Sequence, residues 1–151
     1  MKLLDDTILR NIGALSRSIH SINDIYFKKY HLQRSQFIFL TRICENPGIN
    51  QISLSNMLKV DKATTTKAVQ KLMAEGYVTK ERNAFDKREW NLYPSEKARQ
   101  VYIPIIAEEN RDIAICFSGF NDVERQTVCT LLERMTNNIG QEWKKYKSYK
   151  V

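Results

Sequence analysis

The sequence predicts a mainly α-helical fold with one small β-hairpin, and three observations lead to this fold class. Apolar residues recur at helical spacing through most of the chain. The spacing changes to strand-like alternation only around residues 77–93. The 151 residues can bury a single core, but long helices at the two termini would need a partner. We therefore expect one protomer, 1–151, with a central lobe at 32–98 and helical regions at 1–31 and 99–151.

The composition narrows the function classes. The net charge of +7 favours a polyanionic partner, which could be DNA, RNA or an anionic membrane surface. No apolar run approaches the ~20 residues that span a bilayer, and the N-terminus lacks the pattern of a signal peptide, so we expect a cytosolic protein. Three widely spaced cysteines argue against a disulfide framework. Each is expected to be a small buried apolar residue: Cys44, Cys116 and Cys129.

The first segment, from Asp5 to about Tyr30, is predicted to be a helix with one apolar side. Its apolar residues are spaced alternately four and three apart, at Ile8, Ile12, Leu15, Ile19, Ile22 and Tyr26. Such a helix could pack on its own core, but a seam of this length favours a second chain. The expected dimer interface combines residues of this seam with residues of the last helix: Ile8, Ile12, Leu15, Ile19, Leu131 and Met135.

The middle of the chain is predicted to contain three shorter helices. The first runs from Ser35 to Glu45 and ends at an Asn-Pro-Gly sequence. The second begins after Asn50, a good N-cap residue, and the third runs from Lys62 to Glu75 behind Asp61. Only a tight turn at 59–60 separates the second from the third. Two helices joined in this way form a helix-turn-helix.

A β-hairpin and two long helices are expected to follow. Residues 77–82 and 89–93 alternate as strands do, and the polar segment 83–88 between them forms a basic tip, here called the wing tip. A very short strand is expected at Ile49. Ser95 then caps a long helix that Pro104 should bend, and a capping-box pattern at 121–124 begins the last helix.

The helix at 62–75 has a surface suited to DNA. At 100° per residue, its apolar positions cluster on one side, whereas the opposite side is small, polar and positive with no acidic residue before Glu75. The major groove is ~12 Å wide and admits one helix, in which glutamine can bond base edges and lysine can meet phosphates. A solvated helix face would explain the lysines, but not the tight turn and the basic hairpin beside them. The expected DNA contacts are Lys62, Ala63, Thr64, Thr66, Lys67, Gln70 and Lys71.

The wing supplies a second set of expected DNA contacts, which are Arg82, Asp86, Lys87 and Arg88. A slender β-ribbon can place an arginine in the minor groove, where A·T-rich DNA has a strong negative potential. A carboxylate is unusual there, because it repels phosphate. It is explained if Asp86 pairs with a wing arginine and orders the tip, or if it is simply a turn residue.

The order of elements resembles the MarR family of winged helix-turn-helix transcriptional regulators, most strongly from Leu32 to Ala98. The segments that carry the resemblance are Gln36-Phe37, residues 51–55, 60–64 and 72–78, Asp86-Lys87-Arg88 and residues 94–97. The resemblance implies a homodimer with interlocking first, fifth and sixth helices. It also implies a pseudo-palindromic operator, with Arg88 in the minor groove and the helix at 62–75 in the major groove.

The sequence departs from the family pattern at several points. Gln33 stands where the family usually has threonine, and Thr65 stands where it often has a larger apolar residue. The first helix lacks the reactive cysteine of peroxide sensors. Two histidines, His20 and His31, are too few for a zinc-sensing cluster, so we expect no metal and no other cofactor.

The function expected from these observations is a sequence-specific regulator of transcription, a repressor, that binds double-stranded DNA. Members of the family often bind aromatic anions in a cleft between the dimerisation helices and the winged-helix lobe. Four residues near its expected position could contact a small aromatic or anionic effector, although aromatic residues there could also be core: Tyr26, Tyr30, His31 and Phe37. The alternative is a winged-helix dimer that binds a partner protein and no DNA. No catalytic triad or phosphate-binding glycine loop is found, which argues against an enzyme.

Overall fold

The computed structural model describes residue 1 and residues 3–147, so residues 148–151 of the predicted dimerisation region lie outside the described residues. The fold is mainly helical with one small antiparallel sheet, as the sequence predicts. In chain order, the elements are α1 (Ile8–Phe27), a 3-10 turn (Lys28–Tyr30), α2 (Gln36–Glu45), β1 (Ile49–Asn50), α3 (Gln51–Leu58), α4 (Lys62–Ala74), β2 (Val78–Arg82), β3 (Trp90–Pro94), α5 (Glu96–Cys116) and α6 (Asp122–Tyr146).

Several boundaries differ from the sequence predictions by a few residues, and backbone conformation explains the clearest cases. Helix α1 does not continue to Tyr30, because the chain tightens into the 3-10 turn and reaches a left-handed conformation at His31, with φ of 59°. Helix α2 starts one residue after Ser35, whose φ of 63° is incompatible with an α-helix. Helix α5 continues through Pro104 without interruption, and the bend expected there stays a prediction.

The sheet has three strands in the order β1-β3-β2. The hairpin register pairs Val78 with Pro94 and Arg82 with Trp90, and Ile49 of β1 pairs with Leu92 on the other side of β3. Leu92 is fully buried in the core that α2, α3 and α4 form over this sheet. The sheet therefore ties the wing to the helix-turn-helix.

The helical regions at the two termini leave much of their apolar surface uncovered in the single chain. In the expected dimer seam, Ile8, Leu15, Leu131 and Met135 are exposed, and Ile12 and Ile19 are partly buried. Helix α6, which is described throughout, buries only Gly140. An apolar face of this kind is what a second chain would cover, and the dimer interface stays a prediction.

The expectation that every cysteine is buried is wrong for the single chain. Cys44 is half-buried in α2, but Cys116 and Cys129 are exposed. The last two lie at the end of α5 and within α6, where the protomer has little of its own core to cover them.

Candidate DNA-binding surface

The turn between α3 and α4 determines how α4 is presented. Lys59 adopts a left-handed conformation, with φ of 56°, and ends α3. Asp61 then caps α4, because its Oδ1 accepts a hydrogen bond from the Thr64 backbone nitrogen at 2.8 Å. The Thr64 hydroxyl donates to Asp61 Oδ2 at 2.7 Å, and these bonds hold the pKa of the Asp61 carboxyl below its ordinary value. The predicted cap is thus confirmed.

Two neighbouring threonines attach α4 to α3. Thr65 is fully buried, and its Oγ1 accepts a hydrogen bond from Ser55 Oγ at 2.7 Å while donating to the Asp61 carbonyl at 3.0 Å. Thr66 Oγ1 lies 3.0 Å from Gln51 Oε1 and 2.9 Å from the Lys62 carbonyl. A hydroxyl therefore replaces the apolar contact that the family pattern favours at position 65.

The expected DNA contacts of α4 lie mostly on its solvent-facing side. Six of them are exposed, namely Lys62, Ala63, Thr64, Lys67, Gln70 and Lys71. Thr66 differs, because it is only partly exposed and its hydroxyl proton is used within the helix-turn-helix. The apolar side of α4 buries Ala68, Val69 and Leu72, as its periodicity predicts.

The wing tip is held by an Asx turn and an ion pair. Asn83 Oδ1 accepts hydrogen bonds from the backbone nitrogens of Phe85 at 2.8 Å and Asp86 at 3.0 Å. Asp86 Oδ1 in turn accepts from Arg88 Nε at 3.1 Å and from the Arg88 backbone nitrogen at 3.0 Å. The Arg88 side chain, and then its backbone, lower the pKa of the Asp86 carboxyl. The structure thus confirms that Asp86 pairs with a wing arginine, while 91% of the Arg88 side chain stays exposed.

The base of the wing carries further positive charge on an aromatic ring. Lys80 Nζ lies 4.6 Å and the Arg82 guanidinium 4.9 Å from the centre of the Trp90 ring. These cation–π contacts orient two exposed cations beside the hairpin. These contacts were not predicted from the sequence, although Arg82 and Trp90 are cross-strand partners in the predicted hairpin.

A contact between α6 and the helix-turn-helix was also missed. Gly140 is buried against Lys59, and a Cβ atom at position 140 would lie 3.1 Å from Lys59 Cε. The Lys59 ammonium lies 5.8 Å and the Lys147 ammonium 5.0 Å from the centre of the Trp143 ring, and Lys147 also bonds Asn56. The end of the predicted dimerisation region thus touches the turn that presents α4. A glycine inside a helix is the only sequence signal for such a close approach.

The four expected ligand contacts do not meet at one place. Phe37 lines a cavity of about 510 Å³ between α1, α2, α5 and the start of α6. Tyr30 and His31 border a separate pocket of about 210 Å³, where His31 Nδ1 lies 3.2 Å from Glu75 Oε2. The Arg111 guanidinium lies over the Tyr26 ring, 5.5 Å from the ring centre. Of the four residues, only Phe37 lines the larger cavity, and a ligand role for these residues stays a prediction.

Polar residues that the sequence analysis missed line the larger cavity. Asn23 is fully buried, and neither atom of its side-chain amide has a hydrogen-bond partner among the described residues. Asp112 is buried and its Oδ2 is likewise unpartnered there. Burial raises the pKa of the neighbouring Glu109 carboxyl, with Arg42 opposing the shift and nearby carboxylates adding to it. An isolated asparagine or acid in an amphipathic helix carries no sequence signal for this arrangement.

The described residues contain no helix that is both long and apolar enough to cross a membrane. They also contain no group of three or more His, Cys, Asp or Glu side chains that could hold a metal ion.

Known proteins similar to this chain are regulators of transcription and not enzymes. The family model of the MarR family matches residues 32–90. The HTH-type transcriptional regulator YybA of Bacillus subtilis is 39% identical over 136 residues, which cover 90% of this chain and 91% of YybA.

Two solved structures extend the similarity to the whole fold. A MarR protein from Peptoclostridium difficile is 60% identical, with a TM-score of 0.93, over 97% of this chain and 95% of its own. A MarR family transcriptional regulator from Listeria monocytogenes, complexed with 26mer DNA, is 36% identical, with a TM-score of 0.90, over 100% of this chain and 99% of its own. The chain has a wing and a helix-turn-helix, and it is similar to these relatives over most of its length. It therefore belongs to the MarR family of transcriptional regulators.

Proposed function

We propose that this protein is a cytosolic repressor that binds a pseudo-palindromic operator in double-stranded DNA as a homodimer. The observation that carries the proposal is the pairing of two positive surfaces, the outer side of α4 and the ordered wing tip with Arg88. The MarR family regulator from Listeria monocytogenes, whose structure contains 26mer DNA, supports the same choice of partner.

The chemistry of the two surfaces suits two different grooves. Gln70 is exposed on α4 and can bond a base edge in the major groove, while Lys62, Lys67 and Lys71 neutralise phosphates. Arg88 extends from a narrow hairpin, a shape that enters the minor groove. Asp86 neutralises part of the Arg88 charge but orders its side chain before DNA arrives, which lowers the entropy lost on binding.

The proposed dimer would place two copies of these surfaces on one face of the DNA. Two half-sites must then lie about 34 Å apart, one turn of B-form DNA. The uncovered apolar faces of α1 and α6 are the surfaces that we assign to the dimer interface. The dimerisation helices would thereby set the distance between the two copies of α4.

An effector would act by favouring a dimer with a different spacing of the two α4 helices. The cavity of about 510 Å³ is the place we assign to it, with Phe37 as the one expected ligand residue that lines it. Asp112, Glu109 and Arg42 also line this cavity, so its lining carries both signs of charge, and we assign it a small aromatic or anionic effector. Fluorescence titration with phenols and phenolic acids tests this, and the absence of both binding and operator release would remove the effector from the proposal.

The main experiment is selection of bound DNA from a random pool, followed by gel mobility of the selected duplex at two salt concentrations. We expect two inverted half-sites at a fixed spacing, and an affinity that falls steeply with salt because lysine–phosphate contacts release counterions. DNA next to the protein's own gene serves as a natural test duplex. A protein-interaction module without DNA binding predicts instead that no sequence is enriched and that Lys67, Gln70 and Arg88 can be replaced without loss of function.

A further inference from the structure

Phe85 is an exposed aromatic residue at the extreme end of the wing tip. Its relative exposure is 101%, so its own chain covers none of it. Single exposed apolar residues are common on proteins and need no explanation by exposure alone. Here a whole aromatic ring, with roughly 150–250 Å² of area to bury, stands on the narrowest projection of the fold.

The wing tip orders the backbone that carries this ring. The Phe85 backbone nitrogen donates to Asn83 Oδ1, and the Asn83 backbone nitrogen donates to the Glu89 carbonyl at 2.9 Å. The Asp86–Arg88 pair closes the other side of the turn. Because these bonds order the backbone around Phe85, they fix the direction in which its Cα–Cβ bond leaves the tip.

The charge around Phe85 indicates the chemistry of its partner. Lys87 and Arg88 follow it within three residues, and Arg82 lies at the end of the strand that leads to the tip, all of them exposed. A ring among these cations is poorly suited to an apolar protein pocket, because binding there would remove Lys87 and Arg82 from water, and Asp86 pairs with Arg88. The minor groove offers both phosphates for the cations and apolar deoxyribose walls for the ring, and apolar side chains are known to insert there.

We propose that Phe85 packs into the minor groove beside Arg88, where it makes an apolar contact with the deoxyribose walls. The inference rests on the proposed DNA binding and adds a contact whose energy comes from burial of apolar area. An apolar contact releases no counterions, so its contribution to affinity is independent of salt, in contrast to that of a cation.

The test compares Phe85→Ser, Phe85→Leu and the tip control Ala84→Ser on the selected operator across a range of salt concentrations. Phe85→Ser should weaken binding about tenfold for each wing, or about a hundredfold for the dimer, at every salt concentration, the factor expected if about a third of each ring's area leaves water on binding. Phe85→Leu should keep most of the affinity, and Ala84→Ser should match the original protein. Since position 85 is fully exposed, the melting temperature should stay the same in all variants.

The salt dependence separates this contact from the charged ones. Arg88→Ala should make the slope of log affinity against log salt shallower by about two, about one for each wing of the dimer, whereas Phe85→Ser should leave the slope unchanged. Unchanged affinity in Phe85→Ser, or a shallower slope, would overturn the inference. If Phe85→Ser kept full DNA affinity but lost repression in a transcription assay, the ring would contact a protein, which also overturns it. Failure of the original protein to bind DNA would instead refute the proposed function.

Discussion

Replacing Thr65 with valine removes one hydroxyl from the contact between α3 and α4 and keeps the β-branched shape of the side chain. Thr65 is fully buried and Ser55 is 7% exposed, so water cannot replace the hydrogen bond of 2.7 Å between their hydroxyls. In Thr65→Val, Ser55 Oγ loses its acceptor and stays buried. The Asp61 carbonyl loses less, because it still accepts from the backbone nitrogen of residue 65 at 3.0 Å.

The expected cost is therefore that of one buried polar group without a partner, about 1–3 kcal/mol of unfolding free energy. In a protein of this size, this corresponds to a decrease of roughly 2–12 °C in melting temperature. Ser55→Ala should cost less, because Thr65 Oγ1 keeps its bond to the Asp61 carbonyl. The double variant Ser55→Ala/Thr65→Val leaves neither hydroxyl behind, so it should be more stable than the sum of the two single effects predicts.

The assay is thermal and urea unfolding of all four proteins, monitored by circular dichroism. All samples have the same protomer concentration, because the stability of an oligomer depends on concentration. The expected coupling energy is about 1 kcal/mol or more. The reasoning fails if Thr65→Val is as stable as the original protein. It also fails if the two single effects add within ~0.5 kcal/mol, the range for independent sites.

Three further substitutions and one labelling experiment test other parts of the structure. Arg88→Ala should weaken operator binding by about 1–3 kcal/mol and relax the preference for A·T pairs at the operator flanks; equal affinity in a gel-mobility titration would contradict the wing assignment. Ile19→Glu places a charge in the apolar seam and should yield monomers in analytical ultracentrifugation, whereas a dimer would mean that the interface lies elsewhere. Because the pKa of Asp61 is lowered in the folded protein, its capping bonds stabilise α4 above the ordinary aspartate pKa and are lost as the pH falls through the lowered value. The melting temperature should thus fall less on acidification in Asp61→Asn, and equal dependence in both proteins would argue against the cap. Burial raises the pKa of Cys44 to about 11, so about one thiol in a thousand is ionised at pH 8. Iodoacetamide should label Cys44 only after unfolding, and rapid labelling of the native protein in mass spectrometry would disprove its burial.

The start of most helices could be predicted from the sequence because the signals are local. The caps Asn50, Asp61, Ser95 and Asn121 each accept a hydrogen bond from a backbone nitrogen three residues later, as their residue types predict. The capping box at Asn121 is confirmed in full. Periodicity likewise identified the buried and outer sides of α4, because a helix repeats its faces every 3.6 residues whatever lies around it.

The candidate site was predictable only where it lies on one element. The outer residues of α4 and the Asp86–Arg88 pair are local features, and both are found where the sequence places them. Thr66 is the exception on α4, because its hydroxyl partner Gln51 belongs to another helix. The expected ligand residues were placed by the cleft that the family resemblance implies, and of the four only Phe37 lines the larger cavity.

The sequence by itself determined the order of the elements, the caps, the charge of α4 and of the wing, and the family resemblance. Only the tertiary structure decided that Trp143 reaches the turn at Lys59, that Asn23 and Asp112 line the same cavity, and that β1 joins the hairpin. The physical reason is the distance along the chain over which each feature is determined. A cap or an amphipathic face depends on atoms within about one helical turn, whereas a contact across many tens of residues depends on the path of the whole chain.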